Sequence, residues 1–300
     1  MQIARNWCLS IVMLALTTSA HAQSTLSQKE ADAIIFFSPP GVTRDSKPPQ
    51  DLQAVREFYA KKFPNLKFED YIYGALALSP SAKSQYDDIM ENPPFFSALD
   101  EGQAMWEKKF KNGKTFASCF PNSGKNVVGN YPKFDDARKK VVTFEMAIND
   151  CLRANGETEF KYDDMNTMGK LTAYARTLSD GMRVNITVQG ADAEKAYQAG
   201  KRYFYTRRGQ LNLACVHCHF PNAGNTLRTE LLSPTIGHTT HWPVFRQGTE
   251  LWTLHRRYAF CDQQIRHVSQ DFGSEDYNNL EYFHSFLSNG LPLKSAVFRK

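Results

Sequence analysis

The chain has 300 residues, 42 % of them hydrophobic, which is enough apolar material for two domains with real cores. No run approaches about 18 uncharged apolar residues, so the sequence predicts no transmembrane segment in the mature chain. The net charge of +5 is diffuse, with no basic run of the kind that binds nucleic acid; it favours, mildly, anionic substrates.

Residues 1–22 read as a secretory signal peptide. Arg5 supplies the positive n-region, Leu9 to Leu16 the short apolar stretch, and Ala20-His21-Ala22 the small-residue site with cleavage after Ala22. Export to the periplasm is the expectation, and losing Arg5 takes the charge from +5 to +4. An oxidising compartment lets disulfides persist. Of the 6 cysteines, Cys8 departs with the signal and Cys119, Cys151, Cys215, Cys218 and Cys261 remain.

Residues 23–97 are mixed polar with turns at Ser38-Pro39-Pro40-Gly41 and Lys47-Pro48-Pro49. They read as an irregular leader wrapping the core, with one helix near Leu52–Phe63. From residue 98 an internal repeat sets in. Cys119-Phe120-Pro121-Asn122 is echoed by His219-Phe220-Pro221-Asn222, and Tyr131-Pro132-Lys133-Phe134 by Trp242-Pro243-Val244-Phe245. Cys151 is echoed by Cys261, and Leu178-Ser179-Asp180-Gly181 by Leu287-Ser288-Asn289-Gly290. The reading is two copies of one fold, residues 98–182 and 190–300. In the second copy Ala193, Ala196, Tyr197, Gly200 and Phe204 share a helical face. Its closing helix starts at Ser274 as N-cap and stops at Gly290, and Gly200 allows the two helices to cross closely.

Cys215-Val216-His217-Cys218-His219 has the spacing of covalent haem c attachment. Two thiols on one helical turn reach neighbouring porphyrin vinyls, and the next residue supplies the proximal imidazole. A zinc site would need a second Cys or His pair, and a redox dithiol would need a βαβ setting; neither is present in the sequence. Terminal helices crossing beside such a motif are the plan of small cytochromes c. The predicted fold class is therefore all-α: two cytochrome c-like domains in tandem, the first without haem, carrying one covalently bound haem c in all.

Aligned on the echoes, Cys119 takes the place of His219 and Cys151 that of Cys261. If those positions face each other across a haem, a haemless copy can collapse and join them. A Cys119–Cys151 disulfide is predicted, contributing about 3–4 kcal/mol by loop entropy; two thiols are the alternative. All 8 methionines lie at or before Met182, so Met/His ligation is not offered by residues 190–300. The sixth-ligand candidates are Cys261 and His238, His241, His255, His267 and His284. Cys261 is favoured, being left over by cysteine arithmetic and standing opposite the repeat position of Cys119. A thiolate ligand lowers the potential and points to chemistry at the sulfur itself. If Leu254–Ile265 is helical, Arg257 shares a face with Cys261 and can hold an oxyanion. A haem propionate partner is sought among Arg207, Arg208 and Arg256 first.

The segments Gly200–Cys215, His255–Cys261 and Asn289–Leu293, with Tyr131–Phe134 in the first copy, closely resemble the SoxA family, the catalytic subunits of SoxAX sulfur-oxidation cytochromes. The missing motif at Cys119 makes the chain similar to the single-haem members. His241-Trp242 departs from the smaller aromatic expected before Pro243. The resemblance implies that Cys261 is both distal iron ligand and active-site cysteine, often a persulfide, and that Arg257 binds substrate. It implies oxidative conjugation of thiosulfate to a cysteine of the carrier protein SoxY, with two electrons passing to the haem c subunit SoxX. A thiosulfate dehydrogenase forming tetrathionate is one alternative. A non-catalytic periplasmic electron-transfer cytochrome is the other.

Overall fold

A computed structural model describes residues 38–246 and 250–299. The signal-peptide reading of residues 1–22 lies outside the described residues. Residues 48–91 are more regular than the expected leader. Helix α1 (Pro48–Lys62) is followed by a 3-10 segment (Phe68–Leu78) that bends at Gly74, and then by α2 (Pro80–Glu91). Pro48 and Pro80 each stand in the first turn of their helix, where a missing N–H is harmless. The helix expected near Leu52–Phe63 is α1, starting four residues earlier at Pro48, whereas α2 goes unannounced because Pro80 looks like loop punctuation in sequence.

Two helix crossings organise the remainder. Helix α3 (Phe96–Glu107) packs on α5 (Lys170–Thr177), and α6 (Ala191–Tyr205) packs on α9 (Glu275–Leu287). Each crossing has a glycine at its closest point. A Cβ on Gly102 would overlap the Lys170 carbonyl, and one on Gly200 would overlap the Asn279 carbonyl. Between the helices of each crossing lies a short antiparallel hairpin feeding a further helix. Strands β1 (Lys133–Asp135) and β2 (Lys140–Val142) lead to α4 (Phe144–Ala154), whose N-cap Thr143 accepts the Met146 N–H. The α7 helix (Cys215–His219) is the short haem-motif turn, followed by the two-residue strands β3 (Thr226–Leu227) and β4 (Glu230–Leu231). Strands β5 (Val244–Arg246) and β6 (Glu250–Trp252) then lead to α8 (Leu254–Gln264), whose N-cap Thr253 accepts the Arg256 N–H. Strand β7 (Val297–Arg299) adds to β5 in parallel.

Helices dominate, as in a cytochrome c-like fold, but the all-α expectation omits these small sheets. Their strands are two or three residues long, too short for an alternating pattern to stand out in sequence. The closing helix runs over Glu275–Leu287 with Ser274 accepting the Tyr277 N–H, and Gly290 adopts a left-handed φ of 84° three residues beyond it.

The two regions are tied by backbone hydrogen bonds between 181–184 and 290–293. Gly181 N–H donates to Leu293 O at 2.9 Å, Leu293 N–H to Met182 O at 2.8 Å, and Val184 N–H to Leu291 O at 2.9 Å. One buried apolar cluster runs through both, from Trp106, Phe116 and Phe144 to Tyr197, Phe204 and Phe283. A smaller cluster stacks Phe95 on Phe245 at 4.0 Å.

Candidate functional site

The haem-motif turn is pinned from behind by aromatic packing. Phe220 is fully buried, stacked on Tyr59 at 5.4 Å and edge-on to Phe204 at 5.8 Å. From α1, Tyr59 donates its hydroxyl to the His219 carbonyl and accepts the Thr235 N–H at 3.0 Å, while Lys62 Nζ donates to Pro221 O at 3.0 Å. Helix α1 is itself locked by a buried pair, Lys201 Nζ to Asp51 Oδ2 at 2.8 Å. The leader helix thus sets the position of the motif. Sequence reading misses this role of Tyr59, because a lone tyrosine carries no spacing signal.

His219 has the orientation a metal-ligating histidine needs. Its Nδ1 lies 2.8 Å from the Ser233 carbonyl, which can only accept, so Nδ1 carries the hydrogen and Nε2 keeps its lone pair. Burial, with the charge of Arg257 adding to it, pushes its pKa down to about 4 and keeps the ring neutral. Ser233, some fourteen residues on in sequence, is another participant that no motif announces. Cys215 and Cys218 are unpaired thiols. Burial pushes Cys215 up to about 12 and raises Cys218 as well. Within the motif, the Ala214 N–H donates to His217 Nδ1 at 3.0 Å, so His217 helps cap the turn.

The other histidines fall into two groups. His238 packs edge-to-face on His219 at 4.3 Å and binds Ser233 Oγ at 2.9 Å through Nε2. His284 follows His238 at 5.3 Å and pairs with the Tyr258 hydroxyl at 2.8 Å. These two extend a row from the ring of His219 itself. His241 is buried beside Trp242, and His255 accepts the Gly273 N–H at Nδ1 while facing Glu281 at 3.1 Å. His267 donates its backbone N–H to Asp262 O.

Cys261 lies on α8 one turn after Arg257, partly buried, and within electrostatic reach of both motif thiols. Its neighbour Asp262 is held by the hydroxyls of Tyr203 and Tyr277, each at 2.8 Å, which fixes the rotation of α8 about its axis. The arginines around it differ in their partners. Arg256 pairs with Glu250 and lies 4.8 Å from the Trp252 ring, and Arg208 stacks on Tyr203 at 3.5 Å. Arg257 lies 5.3 Å from the Phe260 ring, and among the described residues its guanidinium has no carboxylate partner. The propionate role sketched for Arg256 competes with its ion pair to Glu250. Arg246, at the end of β5, was not singled out from the sequence. It is buried, with Nη2 3.7 Å from Glu230, and its charge reaches Cys261 and Arg257.

Away from this site, Cys119 and Cys151 are joined by a disulfide spanning 32 residues, and Asn155 Nδ2 donates to Cys151 O at 2.8 Å beside it.

Two unpaired thiols three residues apart, followed by an imidazole oriented by a carbonyl, suit covalent haem; the haem would be held by Cys215, Cys218 and His219. With a helix-dominated fold built on glycine crossings, this defines a c-type cytochrome. Residues 101–184 match the family model described as SoxA/TsdA, cytochrome c domain. The chain is 44 % identical over 251 residues to the L-cysteine S-thiosulfotransferase subunit SoxA of Chlorobaculum tepidum, a match covering 83 % of this chain and 87 % of that protein. It is 39 % identical to the subunit of the same name from Allochromatium vinosum, covering 87 % and 94 %. The solved SoxXA structure from P. pantotrophus superposes with a TM-score of 0.65 at 27 % identity, covering 72 % of this chain and 84 % of that one. The chain belongs to the SoxA family.

Proposed function

We propose that this protein is a periplasmic L-cysteine S-thiosulfotransferase subunit that joins thiosulfate oxidatively to a cysteine of the carrier protein SoxY. The balance is carrier–SH plus S₂O₃²⁻ giving carrier–S–S–SO₃⁻, one proton and two electrons. One S–S bond forms, the S–H bond breaks, and the electrons pass to the partner haem c subunit SoxX. The relatives are named for this transferase activity, and the solved neighbour is named as a SoxXA complex.

One covalently bound haem c, on Cys215 and Cys218 with His219 as proximal ligand, supplies one-electron redox capacity when bound. In this reading Cys261 is the distal ligand and the active sulfur, as thiolate or persulfide, and Arg257 holds the sulfonate of thiosulfate. One observation carries the assignment. Arg257 is the arginine of α8 without an anion among the described residues, and it stands one helical turn from Cys261 on the same helix. A guanidinium there orients the substrate so that its terminal sulfur meets the cysteine.

We also read residues 98–182 and 190–300 as tandem cytochrome c-like domains, the first haemless and stapled by Cys119–Cys151. Support comes from the paired glycine crossings, the hairpins ahead of α4 and α8, and the Thr caps at 143 and 253.

The test is Cys261→Ser in haem-loaded protein, followed by optical and electron paramagnetic resonance spectra and an assay of carrier conjugation. Loss of the low-spin thiolate signature, with a fall in conjugation of at least about a thousandfold, is expected from losing a covalent catalyst. Unchanged spectra with conjugation retained would leave an electron-transfer cytochrome as the better account.

A further inference from the structure

We propose that Arg246 is the second arm of an anion clamp with Arg257, so that the sulfonate of the substrate is held between two guanidinium groups beside Cys261. This rests on the thiosulfate reading above and adds a binding residue from a different element of the fold.

Arg246 ends β5, in register opposite Glu250 on β6. Its guanidinium lies 4.9 Å from the Trp252 ring, and that of Arg256 lies 4.8 Å from the same ring. Trp252 meets Phe260 edge-on at 5.2 Å, and Arg257 lies over Phe260 at 5.3 Å. Hairpin and helix are therefore laced into one block of guanidinium and aromatic groups. That block fixes Arg246 relative to Arg257, and both Arg257 and Cys261 lie within electrostatic reach of it.

Its counter-charges do not match its burial. Arg256 has Glu250. Arg246 is 8 % exposed, and its nearest carboxylate, Glu230, lies 3.7 Å away. The Glu230 side chain is 55 % exposed, so solvent screens that pair. The Nε–H of Arg246 is buried with no acceptor among the described residues. Burying a guanidinium with a donor unused is unfavourable, and an orphan of this kind calls for an absent acceptor. A second positive group close by makes the arrangement worse until an anion enters, and then makes both groups useful. Thiosulfate suits it. Its three sulfonate oxygens can take hydrogen bonds from two planar forks, which leaves the terminal sulfur unengaged. A haem propionate is an oxyanion too, and the measurement separates the two sources.

The experiment uses haem-loaded protein in complex with its haem c partner subunit, comparing the unsubstituted chain with Arg246→Gln and Arg246→Lys. With a charge-assisted contact removed, KM for thiosulfate is expected to rise about tenfold to a hundredfold in Arg246→Gln. The turnover number should change less, and inhibition by sulfate should weaken in parallel. The haem spectrum and midpoint potential are expected to stay as they were. Arg246→Lys, which keeps the charge and loses the fork, should fall between; it decides the matter if Arg246→Gln fails to load haem. A shifted midpoint potential with an unchanged KM would make Arg246 a propionate partner and overturn the clamp. An unchanged KM and potential would overturn it as well. If the unsubstituted protein itself neither binds nor conjugates thiosulfate, the functional reading fails first and the clamp with it.

Discussion

Where residues 98–182 carry the Cys119–Cys151 bond, residues 190–300 carry His219 and Cys261 at the corresponding places in the repeat, and these are not bonded to each other. The surroundings are otherwise alike. Each region has two helices crossing at a glycine, a short hairpin, and a helix capped by threonine that brings the second sulfur position inward. What differs is what stands between the paired positions. In the first region the pair closes on itself, and Trp106, Phe116 and Phe120 stack alongside, with centroids 5.7 and 5.6 Å from the indole. In the second, arginines and unpaired thiols gather instead. In the first region the covalent bond is a structural support. In the second, Cys261 stays a free thiol among charged neighbours.

Three experiments sharpen or break this contrast. The largest effect on stability belongs to the joint change Cys119→Ser with Cys151→Ser. It should lower unfolding free energy by about 3–4 kcal/mol, since the bond closes a loop of 32 residues. Denaturant titration measures this, and conjugation activity should persist wherever the variant stays folded. Abolished activity in a folded variant would mean the first region takes part in the chemistry.

Next come Gly102→Ala and Gly200→Ala. Each forces a Cβ onto a backbone carbonyl that cannot move alone, so each should cost about 1–3 kcal/mol. Thermal melts are expected to show similar losses. Only Gly200→Ala should also reduce the fraction of protein that takes up haem, because α6 packs against the motif turn. Equal haem uptake in the two variants would show that the regions are more tightly coupled than this comparison allows.

The smallest effect is a pH dependence at His241 of the second region. His241 is buried and neutral, its pKa pushed well below 6.5 by burial and then by Arg299 and Arg176. Because the folded value is depressed, the unfolded chain binds the proton first. The contribution of His241 is therefore complete above pH 6.5 and is lost as pH falls below it. His241→Gln should flatten the acid side of the stability curve by up to about 1.4 kcal/mol per pH unit. Parallel urea titrations at neutral and mildly acid pH check this; equal slopes would sink it.

Much of the organisation is legible without coordinates because it is local or repeated. The haem motif lies within one helical turn. The face carrying Ala193, Tyr197, Gly200 and Phe204 follows from helical spacing, and the relation of Cys119 to Cys151 follows from the repeat. Residues 63–91 were less legible than α1, since Pro80 at the start of α2 resembles a loop signal. The small sheets were not legible at all, for strands of two or three residues have no period to detect.

By itself the sequence picked out the candidate groups: which cysteines and which imidazole stand at haem spacing, and which sulfur remains once the others are assigned. Those are properties of neighbours along the chain and of counting. Only the tertiary structure decided which partners each of those groups keeps. It gave Ser233 to the Nδ1 of His219, Tyr59 to the back of the motif, Glu250 to Arg256, and no carboxylate among the described residues to Arg257. The physical reason is that a hydrogen bond or an ion pair depends on separation in space, and residues distant along the chain meet only after the helices have crossed.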